Sequence, residues 1–304
     1  MTAAVYLARF RRKVLVIDAG ESRLKSIALT KNVVGFPEGV SGQDLWERLH
    51  RHAQHFGGLI EAGVVRHLER TVGGFIAHTD TETYRATTVL LATGVVDADP
   101  AVPGLPNAMK NGVIRPCPIC DGFEAIDAAV GVIGAGARAL HECRFLRLYT
   151  RDVAVFTNGA AHNLTEDEAR EVDALGLRVK RDRIKLGAVL PDGKKQLTLD
   201  TGETFACDML YSALASIPNS QLLHGMDTTL DLDSCVVTAA HQETAIAGTA
   251  CCRRCGAGLG SDQCGLRPRG HCRHTYPQLV TRTAIKKRPP HPGWPFVKGL
   301  RESS

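Results

Sequence analysis

One short stretch constrains the fold more than any other. The apolar run Val130-Gly131-Val132-Ile133 leads into Gly134-Ala135-Gly136, and a helical pattern follows over 137–149. A buried strand that breaks at glycines and resumes as a helix opens a mononucleotide-binding αβ unit. The glycines let backbone approach a phosphate, and the first N–H groups of the helix face it. Ala139 supplies the third small residue that close helix packing needs. A plain tight turn is the competing reading. The next strand ends Phe156-Thr157-Asn158-Gly159, with no acid for a ribose and no Arg pair for a 2′-phosphate. The choice of nucleotide therefore stays open.

A second such unit is written into the N-terminal part. Val14-Leu15-Val16-Ile17-Asp18 reads as a buried strand ending in the acid that accepts ribose hydroxyls. No Gly-x-Gly-x-x-Gly turn precedes it, and residues 3–10 read as the helix such a turn should open. The chain is therefore expected to start late within this unit. Further on, 43–56 is expected as a helix, 59–68, 74–79 and 83–87 as a strand meander, and 88–94 as a buried strand closed by Thr93-Gly94. Short strands are expected over 153–156, 178–186, 196–199, 203–206, 209–214 and 235–238. Strands alternating with helices give an α/β class with parallel sheets covered on both faces.

Ten residues ahead of the Gly-rich turn stands Arg115-Pro116-Cys117-Pro118-Ile119-Cys120-Asp121-Gly122. Thiols three residues apart can close a small disulfide, and such disulfides accept electrons readily. Beside a dinucleotide turn, the pair points to flavin-linked dithiol/disulfide chemistry. Asp121 is placed to protonate a leaving thiolate, or is simply a turn residue before Gly122. Half of a structural zinc site is the rival for the cysteines. It needs a second pair, and Cys143, Cys207 and Cys235 are lone, each beside apolar residues, where a small buried hydrophobe is the expected role. His50, His52 and His55 share a helix, but their spacing presents no ligand face, and they are read as solvated.

Length allows two domains with sizeable cores. No apolar stretch of about 18 residues predicts a membrane span, and no signal peptide is read at Met1. A cytoplasmic protein is expected, in which cysteines serve chemistry more often than structure. The net charge of +5 is uneven: from Thr249 onward there are 11 Lys/Arg and 2 Asp/Glu, against 26 and 30 before it. Half of the ten cysteines also fall in that tail.

These residues resemble the low-molecular-weight thioredoxin reductase group of flavoproteins. The resemblance is carried by 2–8, Val14–Asp18, Gly35-Phe36-Pro37-Glu38-Gly39-Val40-Ser41-Gly42, Leu91-Ala92-Thr93-Gly94, Cys117-Pro118-Ile119-Cys120-Asp121-Gly122, Gly134-Ala135-Gly136 and Ile217-Pro218-Asn219, so it spans roughly 2–248. It implies two Rossmann-like domains, an FAD domain interrupted by an NAD(P) domain: 1–110, 111–234 and a return over 235–248, with an irregular tail at 249–304. It implies Cys120 facing the flavin, Cys117 attacking the partner disulfide and Asp121 as acid/base. Asp18, Thr93 and Gly94 would serve FAD, and Gly134 and Gly136 the pyrophosphate of NADPH or NADH. A thioredoxin-like protein or a small-molecule disulfide or dithiol is the implied partner, and a homodimer the implied assembly, with neither nucleic acid nor membrane. The missing basic cluster after Val155 raises a second reading, a flavin-dependent dithiol oxidase using oxygen. A third is a non-catalytic remnant with impaired FAD binding.

Beyond Gly248 the family pattern stops. Plausible codons for Cys251-Cys252-Arg253-Arg254, read one base later, give the Ala-Ala-Gly-Asp the family would show. Residues from about 249 are therefore expected to be out-of-frame translation. A zinc site from Cys251, Cys252, Cys255, Cys264, His271, Cys272 and His274 is the rival, with poor spacing. A nucleic-acid-binding arm would be basic but short of aromatics for stacking.

Overall fold

The computed structural model describes residues 1–239 and 241–251 and the backbone of 256–257. The N-terminal unit comprises α1 (Thr2–Arg9), β1 (Leu15–Asp18), α2 (Gly42–His55) and β2 (Leu59–Ala62). Ala4, Val5 and Ala8 form the buried stripe of α1, and Ala4 and Val5 meet Ala53 of α2 in a small core ringed by Val14, Val16, Phe56 and Ile60. The Ser41 hydroxyl caps α2 by accepting the Asp44 N–H at 3.0 Å. β1 and β2 run parallel, Leu15 opposite Leu59.

The strand expected over 59–68 is two. β3 (Val65–Thr71) leaves β2 at Gly63 and joins β4 (Gly74–Thr79) and β5 (Thr83–Ala86) in an antiparallel meander. Gly63 turns the chain there, its N–H bonded to the carbonyl of Asp18 at 2.9 Å. β6 (Val89–Leu91) and β7 (Val95–Asp97) follow.

The central unit holds α3 (Pro118–Asp121), β8 (Val130–Ile133), α4 (Gly136–Leu146), β9 (Val153–Phe156), α5 (Glu166–Ala174), β10 (Arg178–Lys180), β11 (Ile184–Val189), β12 (Lys195–Leu199), β13 (Thr204–Cys207) and β14 (Met209–Ser212). Four strands make a parallel sheet in the order β10-β9-β8-β14. That is a doubly wound order, with its switch point between β8 and β14. β8, β9 and β14 are buried throughout, as strands covered on both faces must be. Ala139, Leu140, Cys143 and Leu146 turn one stripe of α4 inward. The antiparallel β11-β12-β13 sheet contributes Ile184, Leu197 and Leu199 to a core shared with Phe156 and Leu210.

The strand expected over 178–186 breaks at Arg181-Asp182-Arg183, where the chain passes from the parallel sheet to the antiparallel one. Helix α5 has no counterpart among the sequence expectations. It buries Val172 alone, so apolar periodicity barely marks it. Its capping box does: Thr165 accepts the Glu168 N–H at 3.3 Å, and Glu168 accepts the Thr165 N–H at 2.9 Å.

β15 (Ser216–Pro218) then pairs antiparallel with β7. β16 (Val236–Val237) pairs with β18 (Gly256–Ala257), and β17 (Thr249–Cys251) runs parallel to β6. Thr249–Cys251, the first residues of the stretch expected to be out of frame, thus lie in a sheet with Val89–Leu91. The frameshift, zinc and nucleic-acid readings otherwise fall on 252–255 and 258–304, outside the described residues. Among the described residues no helix is long and apolar enough to cross a membrane.

Candidate functional site

The two cysteines open α3. Cys117 is its N-cap and Pro118 its first residue, and the Cys120 N–H donates to the Cys117 carbonyl at 3.1 Å. Proline at the first helical position presets φ and sacrifices no helical hydrogen bond, so one turn folds Cys120 back over Cys117. The sulfurs are joined in a disulfide, with Cα atoms 5.4 Å apart, and both residues are half-buried. Arg115 fixes the approach: its N–H donates to the Leu210 carbonyl at 2.8 Å and its carbonyl accepts the Ser212 N–H at 2.9 Å. The thiol loop is thereby an extra rung on β14. Beyond it, Gly122 lets α3 press on α4's last turns. A Cβ there would sit 2.9 Å from the Tyr149 ring and 3.0 Å from that of Phe145.

Asp121, directly after Cys120, is gripped from two sides. Arg115 Nη1 donates to its Oδ2 at 2.5 Å, and the Tyr211 hydroxyl to its Oδ1 at 2.9 Å. Burial pushes the Asp121 carboxyl above the ordinary range, outweighing the Arg115 guanidinium and the Tyr211 hydroxyl that pull it down. Tyr211 is fully buried, and burial together with the Asp121 charge raises its phenol. Sequence reading found neither partner. Tyr211 lies in an apolar run and reads as core, while Arg115 stands two residues before Cys117 with nothing to mark its reach.

At the switch point, Gly134 and Gly136 form the turn from β8 into α4. Gly136 has φ +67°, in the left-handed region. A Cβ on Gly134 would lie 2.8 Å from that of Ala213 at the end of β14. The Gly136 N–H donates to His162 Nδ1 at 3.0 Å. The end of β9 gains basic neighbours that its own sequence lacks. Gly159 N–H donates to the Arg181 carbonyl at 3.2 Å, and the Arg183 side chain lies against Gly159. Neither His162 nor these arginines was singled out from sequence, because no local spacing links them to 134–136.

Asp18 ends β1 as expected. Its Oδ1 accepts the Gly20 N–H and its Oδ2 meets His50 Nε2, each at 2.8 Å. Burial raises its pKa, but the Gly20 N–H, His50 and Lys25 outweigh burial and hold it below the usual carboxylate value. His50 is thus no solvated residue: its other nitrogen faces the Trp46 carbonyl at 2.9 Å, and the Trp46 ring packs against it, tilted, with centroids 3.8 Å apart. His52 and His55 are exposed as expected. Thr93 and Gly94 are locked to Asn219. The Thr93 hydroxyl donates to the Asn219 carbonyl at 2.5 Å, Asn219 Nδ2 donates to the Thr93 carbonyl at 3.0 Å, and Asn219 N–H donates to the Gly94 carbonyl at 3.0 Å. Gly94 has φ +69° and open space where a Cβ would point.

These residues fit a dinucleotide in part. Each Asp18 oxygen keeps a lone pair for a ribose hydroxyl, and the open side of Gly94 admits a close-lying ligand. The Gly134–Gly136 turn fits a pyrophosphate in its backbone but has His162 seated on it. Elsewhere, burial pushes the Cys143 thiol up to about 12 and the Cys207 thiol up to about 11, which leaves both unreactive.

Fold and site together define a dinucleotide-type αβ protein with a thiol pair set ahead of its central sheet. The chain belongs to the pyridine nucleotide-disulphide oxidoreductase family, whose model matches residues 1–248. A thioredoxin reductase of Neurospora crassa is 29% identical over 259 residues, covering 78% of this chain and 76% of that protein. An oxidoreductase from Agrobacterium tumefaciens superposes with a TM-score of 0.72 at 25% identity, over 86% of this chain and 88% of the other. The thioredoxin reductase of Streptococcus pyogenes MGAS5005 reaches a TM-score of 0.77 at 21% identity, over 85% and 86%, a likeness of fold. The thioredoxin-reductase-like resemblance and the α/β class with two Rossmann-like domains are borne out.

Proposed function

We propose that this chain passes electrons between NAD(P)H, FAD, the Cys117–Cys120 pair and a partner disulfide on a thioredoxin-like protein or a small molecule. The observation that carries the reading is the bonded Cys117–Cys120 pair at the head of α3, with Asp121 held beside it by Arg115 and Tyr211. In the reduced pair, the Cys117 thiolate attacks a partner sulfur, the partner's disulfide breaks, and a mixed disulfide forms. Cys120 then attacks Cys117 Sγ, which re-forms the internal disulfide and frees the partner's second thiolate. Asp121 supplies the proton this leaving sulfur takes. Two electrons have then left the pair for the partner.

Asp18, Thr93 and Gly94 would hold FAD, and Gly134 and Gly136 the pyrophosphate of NADPH or NADH. Bound FAD, once reduced by NAD(P)H, would supply the two electrons that reopen the Cys117–Cys120 bond. The same reading divides the chain into an FAD part over 1–110 and 235–248 and an NAD(P) part over 111–234, and it carries a cytoplasmic homodimer. A dithiol oxidase using oxygen is the second reading, favoured by the Phe156-Thr157-Asn158-Gly159 exit from β9, which offers no acid or arginine of its own.

An anaerobic absorbance spectrum of the purified protein tests both. Yellow flavin bleached by NADPH or NADH supports the reductase. Bleaching by dithiols alone supports the oxidase. Colourless protein that cannot be loaded with FAD ends both.

A further inference from the structure

We infer that His162 gates the second dinucleotide turn: its imidazole occupies the acceptor position on the first N–H of α4 and must leave before a nucleotide pyrophosphate can take it. The inference rests on the proposed role of Gly134 and Gly136 in holding NAD(P)H.

The seat is built. A phosphate on a Gly-rich turn is held by the backbone N–H groups that open the following helix. Here the Gly136 N–H already donates to His162 Nδ1 at 3.0 Å. The backbone of the same loop lies across the turn as well, with the Asn163 carbonyl 3.6 Å from where a Gly136 Cβ would be. Both ends of that loop are pinned. Thr157 N–H donates to the Lys180 carbonyl at 2.9 Å and Ala160 N–H to the Thr157 carbonyl at 2.9 Å; at the far end Thr165 and Glu168 cap each other. Between the pins, Ala160, Ala161 and Asn163 are exposed, while His162 and Leu164 are half-buried.

His162 is displaceable as well as seated. A ring accepting at Nδ1 carries its proton on Nε2. That atom is buried with no hydrogen-bond partner among the described residues. A buried donor left unpaired weakens the closed position, so an incoming anion competes against a single hydrogen bond. Arg181 lies near enough to act on the ring electrostatically, so the position His162 holds is under a positive charge. An approaching pyrophosphate is therefore drawn to a seat that the imidazole holds weakly. The consequence is quantitative: apparent nucleotide affinity falls by the fraction of molecules in which the seat is free.

Calorimetric titration with ADP-ribose, which carries the pyrophosphate but no nicotinamide, tests the gate. His162→Ala should bind it about three- to tenfold more tightly than wild type, the range that one net hydrogen bond implies. His162→Gln, whose amide oxygen can accept the same N–H, should stay near wild type. Unchanged or weaker binding by His162→Ala overturns the gate. So does equal tightening by His162→Gln, or no binding by any of the three proteins. Should His162→Ala fail to fold, the wild-type protein still decides. At saturating ADP-ribose the 15N signals of the His162 ring should change, and unchanged signals sink the idea. Neither measurement reads flavin or turnover, so a failed electron-transfer reading and a failed gate are told apart.

Discussion

The Tyr211 hydroxyl donates to Asp121 Oδ1 at 2.9 Å, joining residues 90 positions apart in the chain. Through this bond β14, at the edge of the central sheet, reaches the acid beside the bonded cysteines. Tyr211 faces Val132 across β8 and β14, so its ring is set by two fully buried strands and cannot follow α3 if that short helix shifts. Arg115 closes the other side of the carboxylate while its own backbone is bonded to β14. Asp121 is therefore positioned by the sheet rather than by its own helix.

Removing the Tyr211 hydroxyl should make Asp121 harder to ionise, because that hydroxyl lowers a pKa that burial raises. In Tyr211→Phe the Asp121 carboxyl is expected to titrate at higher pH than in wild type, read by 13C NMR. Stability should drop by about 1 kcal/mol, the net worth of one hydrogen bond. Arg115→Gln should shift the titration further, since Arg115 is the stronger of the two opposing influences. The sign for stability follows. A raised folded-state pKa favours folding below the unfolded value near 3.8, and that contribution is lost as pH rises through the folded pKa. Wild type should therefore lose stability relative to Asp121→Asn as pH rises through that window, measured by urea titration.

Opening the disulfide should lower stability modestly, because Cys117 and Cys120 are three residues apart. The chain-entropy relation gives about 2 kcal/mol for so small a loop. Denaturation midpoints with and without dithiothreitol should differ by that much, and Cys120→Ser should match the reduced protein. In the reduced native state, iodoacetamide should modify Cys117 or Cys120 and spare Cys143 and Cys207, whose thiols burial holds near 12 and 11. Native labelling of Cys143 would contradict the packing of α4.

The parts legible in sequence were those encoded by neighbours in the chain. The run from Val130 to Gly136 carries its own strand, turn and helix start, and Cys117–Cys120 carries its own bond. Asp18 was placed by the apolar strand ahead of it. What escaped was assembled across long separations: Tyr211 on Asp121, His50 on Asp18, His162 on Gly136. A histidine on an α2 face without ligand spacing reads as solvated until β1 is known to pass beside it. A tyrosine in an apolar strand likewise reads as filler, since its hydroxyl's destination depends on where α3 docks. Helix α5 was the exception, because Thr165 and Glu168 marked it locally and its weak apolar stripe hid it.

The Asp18–His50 pair should appear in the acid limb of stability. Asp18 is held below its usual value, so its contribution is present above about 3.8 and is lost as pH falls through the lower folded-state value. Thermal melts of wild type and Asp18→Asn between pH 6 and about 2.5 should therefore converge at the acid end and separate above it. His50→Ala should bring the Asp18 titration back toward the ordinary carboxylate range, visible in the same NMR experiment. Curves that stay parallel throughout would mean that the pair contributes nothing to folding.

Two glycines of one turn should fail for different reasons. At Gly134, where φ is +159°, the main obstacle is a neighbour: an added Cβ would lie 2.8 Å from Ala213 Cβ, with the Ala213 carbonyl carbon and oxygen at 3.3 Å. At Gly136 the surroundings are open to 3.6 Å, and the obstacle is the backbone itself at φ +67°. Gly134→Ala should therefore cost about 1–3 kcal/mol of stability as an overpacking change, and Ala213→Gly in the same molecule should recover part of it, the Ala213 backbone contacts remaining. Gly136→Ala should cost about 1 kcal/mol through left-handed strain, with no relief from Ala213→Gly and partial relief from asparagine in place of alanine. Urea midpoints of the single and double variants separate the two cases. Equal rescue of both by Ala213→Gly would mean that β14 packs on the whole turn, and that the switch point is tighter than a nucleotide seat can be.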